Sequence, residues 1–133
     1  MDIRELIKIM IERDASDLFF RAGAFPSLRI DGKVMAVDEK KVTLDNIMQA
    51  TEVLMTTKQR EIFKNNLDID FALYLKELNR RLRVSIFTQR NWPSIVIRNV
   101  RSHVATFEEL NLPAAILKKL SMERRGLVLL TGS

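Results

Sequence analysis

The last residues of the chain have a pattern that could bind phosphate. Residues 127–130, Leu-Val-Leu-Leu, are wholly apolar, as in a strand buried on both faces of a parallel sheet, and Thr131-Gly132-Ser133 follows. A phosphate-binding loop of the form GxxxxGK[ST] begins in this way, with Gly132 as its first glycine. The lysine of that motif does not follow within the 133 residues. Apolar strands that end in Thr-Gly are also common in proteins without such a loop, so both interpretations stay open.

Two aspartates have a spacing that could carry chemistry. Asp68 and Asp70 lie two apart in a predicted strand, so both point to one face and could form an acid/base pair or bind a cation. A solvated polar face of the sheet is the favoured interpretation. His103 has no recognisable metal or nucleophile partner, and Trp92 beside Pro93 is interpreted as a turn anchor. We assign neither of them a role.

Composition excludes several classes of protein. The chain is 47% hydrophobic and 29% charged, as in a folded domain rather than a disordered segment. It has no cysteine and one histidine, which excludes a disulfide framework and the usual Cys/His zinc sites. No apolar run approaches the roughly 20 residues that cross a bilayer. The formal charge of +5 favours acidic partners without distinguishing nucleic acid, phospholipid, nucleotide and protein.

Three segments have the pattern of helices that pack on a core. Apolar residues recur at helical spacing over residues 3–11, which predicts a helix ending near Asp14. Thr43 can cap a second helix, and Thr56 with Gln59 forms a capping box for a third. Further along, residues 106–109 form another capping box, before a connecting helix entered through a proline.

Other segments alternate with a period of two, which is the pattern of strands. The clearest is Ile69–Leu75, which should pair as an antiparallel hairpin with Leu82–Ile86. Residues 91–93, Asn-Trp-Pro, are predicted to break the run before a strand over Ser94–Val100, because proline cannot donate to a ladder. The remaining predicted strands are Asp17–Phe20, Pro26–Ile30 and Val34–Val37, the last two joined by an Asp31-Gly32 turn. Together the elements predict an α+β fold with a mainly antiparallel sheet.

Several short motifs in a fixed order give the chain a family resemblance. They are Ala15-Ser16-Asp17-Leu18, residues 26–34, Asp68-Ile69-Asp70-Phe71, Arg81-Leu82-Arg83-Val84-Ser85, Ile97-Arg98-Asn99-Val100, Leu110-Asn111-Leu112-Pro113 and residues 125–132. In this order they resemble the N-terminal domain of the PilT/PilU branch of secretion-type ATPases, the motors of type IV pili, over essentially the whole chain. Phe19 stands where many retraction motors have histidine, and in this the chain is more similar to PilU than to PilT.

The resemblance implies a domain organisation. Residues 1–103 would be a PAS-like domain with a twisted sheet flanked by helices, and residues 104–125 a linker with a connecting helix. Residues 126–133 would be the first strand and the start of the P-loop of a RecA-like ATPase domain. The PAS-like domain would pack on the RecA-like domain and help to build a hexameric ring. Since the chain stops before the P-loop lysine, we expect no ATP hydrolysis by these 133 residues alone.

The resemblance also implies that arginines of this domain approach the nucleotide phosphates. By motif match these are Arg83 and Arg98, with Arg81 as a neighbour on the Arg83 face, while Gly132 and Ser133 would begin the phosphate-binding loop. A guanidinium keeps its charge, offers a planar fork of donors to phosphate oxygens and can stabilise charge on a transferred phosphoryl group.

Each arginine also has a purely structural interpretation. Arg81 and Arg83 could form the solvated face of a hairpin, and Arg98 could pair with Asp68 or Asp70 across the sheet.

The same resemblance implies cofactors, partners and location. The longer protein would use ATP and Mg²⁺, whereas we expect no cofactor for these 133 residues. Its partners would be its own RecA-like domain, further copies in a homo-hexamer and the inner-membrane platform protein of the pilus, with no nucleic acid expected. It would be cytoplasmic, at the inner face of the inner membrane.

Two other functions fit part of the sequence. A nucleic-acid-binding domain would use cations and aromatics on neighbouring strands, although no RNP-like motif is present. The residues concerned are Arg80, Arg81, Arg83, Arg90, Phe87 and Trp92. A PAS-like sensor would bind a small molecule in its core, but no residue pattern marks such a ligand.

Overall fold

A computed structural model describes residues 1–100 and 105–132. The chain divides into two compact units, Met1–Ser102 and His103–Ser133, each of which is described by itself. His103 and Ser133, named above, lie outside the described residues.

Each helix of the first unit begins at a capping residue, and those of the second and third helices, Thr43 and Thr56, were predicted. Helix α1 (Ile3–Glu12) is capped by Asp2, whose side chain accepts a hydrogen bond from the Arg4 amide at 2.9 Å. Helices α2 (Leu44–Leu54) and α3 (Thr57–Asn66) both begin with a complete capping box, at Thr43 and Thr56 respectively. The reciprocal hydrogen bonds satisfy backbone donors that a helix start leaves unpaired, so these local signals decide where each helix begins.

Within residues 1–100, six strands form one sheet in which every neighbouring pair is antiparallel. The strands are β1 (Asp17–Arg21), β2 (Ser27–Ile30), β3 (Lys33–Ala36), β4 (Asp68–Leu75), β5 (Arg80–Gln89) and β6 (Trp92–Val100). Their order is β3-β2-β1-β6-β5-β4, with β6 between β1 and β5. The predicted α+β fold with an antiparallel sheet flanked by helices is confirmed.

One predicted turn is confirmed by its backbone. Asp31 and Gly32, between β2 and β3, have φ values of 47° and 78°. Positive φ at both central residues matches the twist of the flanking strands, and glycine adopts it without a steric cost.

The turn before β6 is shorter than predicted. A break was expected over residues 91–93, but the turn consists of Arg90 and Asn91 alone. Pro93 lies within β6, opposite Thr88 of β5. The Thr88 amide donates instead to the Leu67 carbonyl at 2.8 Å. Thr88 and Pro93 therefore form a non-hydrogen-bonded pair of the ladder, in which Pro93 need not donate to β5. Pairing with β1 begins only at the next residue, so the missing amide hydrogen leaves no gap there.

The core lies between one face of the sheet and the helices. The buried residues of this core are Ile3, Leu6, Ile7, Met10, Ala15, Leu18, Phe20, Leu28, Val42, Ile47, Ala50, Leu54, Met55, Leu82, Val84, Ile86, Ile95 and Ile97. Alternation along the strands sends the intervening side chains to the opposite face. We call this second side the open face; its residues include Asp17, Phe19, Arg21, Arg29, Asp70, Arg81, Arg83, Ser85, Phe87, Val96 and Arg98.

The second unit contains a short helix and an extended end. Helix α4 (Ala114–Ser121) follows a turn in which Thr106 and Glu109 exchange the predicted capping hydrogen bonds, at 2.7 and 3.2 Å. The strand expected at residues 127–130 is not formed here, and all four apolar side chains are exposed. A strand requires a hydrogen-bonded neighbour, and the described part of the second unit provides none for this segment.

Among the described residues, no helix combines the length and the apolar character needed to cross a membrane.

We expect Ile97→Ala to lower the free energy of unfolding by about 2–5 kcal/mol, because it removes methyl groups from a fully buried side chain on a central strand. Urea denaturation followed by circular dichroism measures this loss. Val34→Ala is the control, since Val34 lies on the edge strand β3 and is 55% exposed, and it should change stability by less than about 0.5 kcal/mol. Equal losses in the two variants would contradict this placement of the core.

Candidate functional site

The structure brings two of the predicted arginines together. Arg83 on β5 and Arg98 on β6 are directly opposite each other, and both side chains point to the open face. Their exposed fractions are 61% and 62%. Arg81 lies two residues before Arg83 on the same face, and it has no hydrogen bond or ion pair with the described residues. The arginines are thus held in one place by the register of two strands.

Arg98 is held by a buried carboxylate on the neighbouring strand. Its Nε donates to Asp17 Oδ1 at 2.9 Å, and Asp17 is directly opposite it on β1. Asp17 is only 7% exposed. Ser16 Oγ donates to the other carboxylate oxygen at 2.9 Å, and Arg29 Nε lies 3.3 Å from that oxygen without hydrogen-bond geometry. One buried negative charge therefore stands between two arginines.

Arg83 is held by a second and more exposed carboxylate. Its Nε and Nη2 donate to the two oxygens of Asp70 at 3.3 and 2.9 Å, and Ser85 Oγ donates to the same group. These donors favour the charged form, so Arg83 first and Ser85 second lower the pKa of Asp70, while Asp70 raises the pKa of Arg83. The Asp70 side chain is 52% exposed, so water competes for this pair.

We call the residues directly opposite one another across four strands the arginine row: Arg29, Asp17, Arg98 and Arg83. Asp70 flanks the row on the β4 side. Within it, Arg29 also lies over the Phe19 ring, with 5.4 Å between the guanidinium carbon and the ring centroid. The row presents three cations and one buried anion to the open face.

Sequence reasoning did not find the carboxylate that pairs with Arg98. The prediction that Arg98 pairs with Asp68 or Asp70 is wrong, because β1 lies beside β6 and Asp17 takes that place. Asp70 does belong to the polar face, as Arg83's partner. Asp17 and Arg29 were missed as site residues. Both occur within the motifs of the family resemblance, but no local pattern signals that they meet Arg98.

The other predicted residues do not belong to this row. Gly132 is the last described residue and belongs to the second unit, and Ser133 lies outside the described residues. Asp68, opposite Phe87 on β5, forms no group of metal-binding side chains with other described residues. Trp92 begins β6 and is 45% exposed. Aromatics therefore share the open face with cations, but Asp17 and Asp70 offset much of the positive charge that a nucleic-acid surface requires.

We expect the Asp70 carboxyl to titrate below its ordinary value of 3.8, because Arg83 and Ser85 stabilise the carboxylate. Since the pKa is lower in the folded state, its stabilising contribution is complete above 3.8 and is lost as pH falls through the folded value. Carbon-detected NMR titration of the side-chain carboxyl measures the midpoint. Arg83→Ala should raise it, and Arg21→Ala should not. A midpoint that Arg83→Ala leaves in place would contradict the pairing.

Two of the relatives that match over the whole chain are type IV pilus ATPases. The type IV pilus ATPase PilU of Pseudomonas aeruginosa is 37% identical over 133 residues, which are 100% of this chain and 34% of that protein. The type IV pilus retraction ATPase PilT of the same organism is 35% identical over 132 residues, 99% of this chain and 38% of that protein. The chain thus spans about a third of the length of these relatives. No protein-family model matches it.

A solved structure shares the fold. The crystal structure of the pilus retraction motor PilT with bound ADP superimposes with a TM-score of 0.75 at 29% identity, covering 89% of this chain and 34% of that one. Whole-chain sequence similarity and a common α+β fold therefore agree, and the chain belongs to the PilT/PilU family of pilus motor ATPases, as their N-terminal domain.

Proposed function

We propose that this domain contributes phosphate-contacting arginines and ring-forming contacts to a hexameric motor whose ATP hydrolysis powers retraction of a type IV pilus. The observation that carries the proposal is the placement of Arg83 and Arg98 side by side on the open face, each more than half exposed. Family membership supports it, because the relatives are named as pilus ATPases.

The arginine pair has the chemistry that a triphosphate requires. Two guanidinium groups on adjacent strands present a wide array of N–H donors to phosphate oxygens, and their charge persists at any physiological pH. Fixed positive charge beside the γ-phosphate offsets the charge that develops on the leaving oxygens during transfer. Arg81, unpaired among the described residues, extends this positive surface by one step along β5.

The nucleotide itself would be bound by another part of the longer protein. We infer that residues 1–103 form the PAS-like domain, 104–125 the linker and 126–133 the first strand and P-loop start of a RecA-like domain. In this arrangement Gly132 and Ser133 begin the phosphate cradle, which would hold ATP and Mg²⁺. The exposed apolar side chains of residues 127–130 support this, since they need a sheet to bury them. The partners would be that domain, five further copies, as a hexamer requires, and the pilus platform protein in the inner membrane, reached from the cytoplasm.

We expect Arg83→Ala or Arg98→Ala, in the protein extended through its complete ATPase domain, to lower kcat by roughly tenfold or more, because each removes charge that stabilises the transferred phosphoryl group. Steady-state phosphate release measures the effect, and circular dichroism checks that the fold is retained. Arg21→Ala is the matched control, since Arg21 lies on the open face outside the row. Wild-type kinetics in both test variants would remove these arginines from the site.

We expect the 133-residue chain by itself to release no phosphate from ATP above background, because it contains no P-loop lysine. A phosphate-release assay with and without Mg²⁺ measures this. Turnover that depends on the protein and is abolished by Arg98→Ala would contradict the proposed division of labour between the two domains.

A further inference from the structure

The two central arginines of the row are held in different ways. Arg98 uses only its Nε to contact Asp17, and its two Nη groups have no hydrogen-bond partner among the described residues. Arg83 uses both Nε and Nη2 in a fork to Asp70. The outward edge of the Arg98 guanidinium is therefore available to an anion, whereas the Arg83 donors are partly occupied.

The carboxylates also differ in burial and in the charge that they balance. Asp17 is 7% exposed and stands between Arg29 and Arg98, so this group of three keeps one net positive charge. Asp70 is 52% exposed and balances Arg83 alone, so that pair has no net charge. A desolvated carboxylate with several partners has little freedom to move, while an exposed ion pair is easily exchanged for another anion.

We propose that Asp17 is a positioning residue that aims the Arg98 Nη groups at phosphate, and that Asp70 restrains Arg83 until phosphate displaces it. This proposal rests on the proposed function, because it assigns unequal roles to the two arginines of the same site. Arg98 is then the pre-arranged contact, and Arg83 joins when the incoming anion outcompetes the Asp70 carboxylate for its fork.

Substitutions of the two aspartates test the proposal through the direction in which each changes anion affinity. Asp17→Asn and Asp70→Asn each remove one negative charge from the open face, so general electrostatics predicts tighter anion binding in both. The different roles that we propose for Asp17 and Asp70 predict opposite changes in anion affinity for the two variants. Asp17→Asn should weaken binding because Arg98 loses its charged anchor, and Asp70→Asn should strengthen it because the Arg83 fork is released.

The experiment titrates inorganic triphosphate into the 133-residue chain and follows the arginine Nε–Hε signals by NMR. We expect the Kd to rise about threefold in Asp17→Asn and to fall about threefold in Asp70→Asn, because the arginine of each pair is mostly exposed and water limits the size of the effect. In the wild type, the Arg83 signal should move toward its position in Asp70→Asn as triphosphate binds. An unchanged or lower Kd in Asp17→Asn overturns the role of Asp17, and an unchanged or higher Kd in Asp70→Asn overturns that of Asp70.

A second substitution keeps the test decisive if Asp17→Asn fails to fold. Arg98→Lys keeps the charge on an exposed side chain but cannot keep both the Asp17 contact and a free donor fork. We expect about a threefold rise in Kd, with Arg21→Lys as the control at wild-type affinity. If Arg98→Ala weakens binding but Arg98→Lys leaves the Kd unchanged, the positioning role of Asp17 is overturned. The phosphate contact of residue 98 would stand. Wild-type affinity in both Arg83→Ala and Arg98→Ala overturns the proposed function as well.

Discussion

The open face depends on a constraint that two neighbouring strands impose, because Arg83 on β5 and Arg98 on β6 are directly opposite each other. Each arginine pairs with a carboxylate on the strand that lies away from the other arginine. Like charges in this position destabilise a sheet. Asp17 draws Arg98 toward β1, and Asp70 draws Arg83 toward β4. The strand order β1-β6-β5-β4 therefore gives the charge order Asp-Arg-Arg-Asp across the sheet. This arrangement keeps two cations adjacent without leaving either one uncompensated.

The layered architecture explains why these charges remain accessible. All the apolar side chains that β5 and β6 contribute to the core point to the helix side, so alternation leaves the arginines on the other face. That face also contains a hollow of about 280 Å³, lined by Phe19, Phe25, Phe87 and Val96 among others. A surface with both apolar and positively charged parts suits contact with another protein domain that carries an anion.

Burial separates the two carboxylates into different physical roles. Charge withdrawn from water is stabilised only by close partners, and Asp17 has Ser16, Arg29 and Arg98 around it. Asp70 remains in water with Arg83 and Ser85, where an ion pair contributes little to stability and is readily exchanged. A rigid contact and an exchangeable one thus lie side by side on the same surface. Sequence similarity over the whole chain assigns this surface to the N-terminal domain of the PilT/PilU family.

Local signals in the sequence determined the elements and the faces. The capping residues Thr43 and Thr56 decide where two helices begin, since each satisfies backbone donors within one turn. The period of two around Arg83 placed it away from the core, because alternation is a property of a single strand. The order of the short motifs along the chain likewise indicates the family, since it is a property of the sequence alone.

Tertiary structure alone decided which charges meet. Asp17 and Arg98 are 81 residues apart, and they pair because β6 inserts between β1 and β5 rather than lying at the edge. Similarly, Pro93 fits into β6 because its nitrogen, which carries no hydrogen, points to the side where β1 no longer pairs with β6. Whether this side is unpaired depends on where β1 ends. Strand order and register result from the packing of the whole core. A side-chain partner that depends on them cannot be inferred from the local pattern of residues.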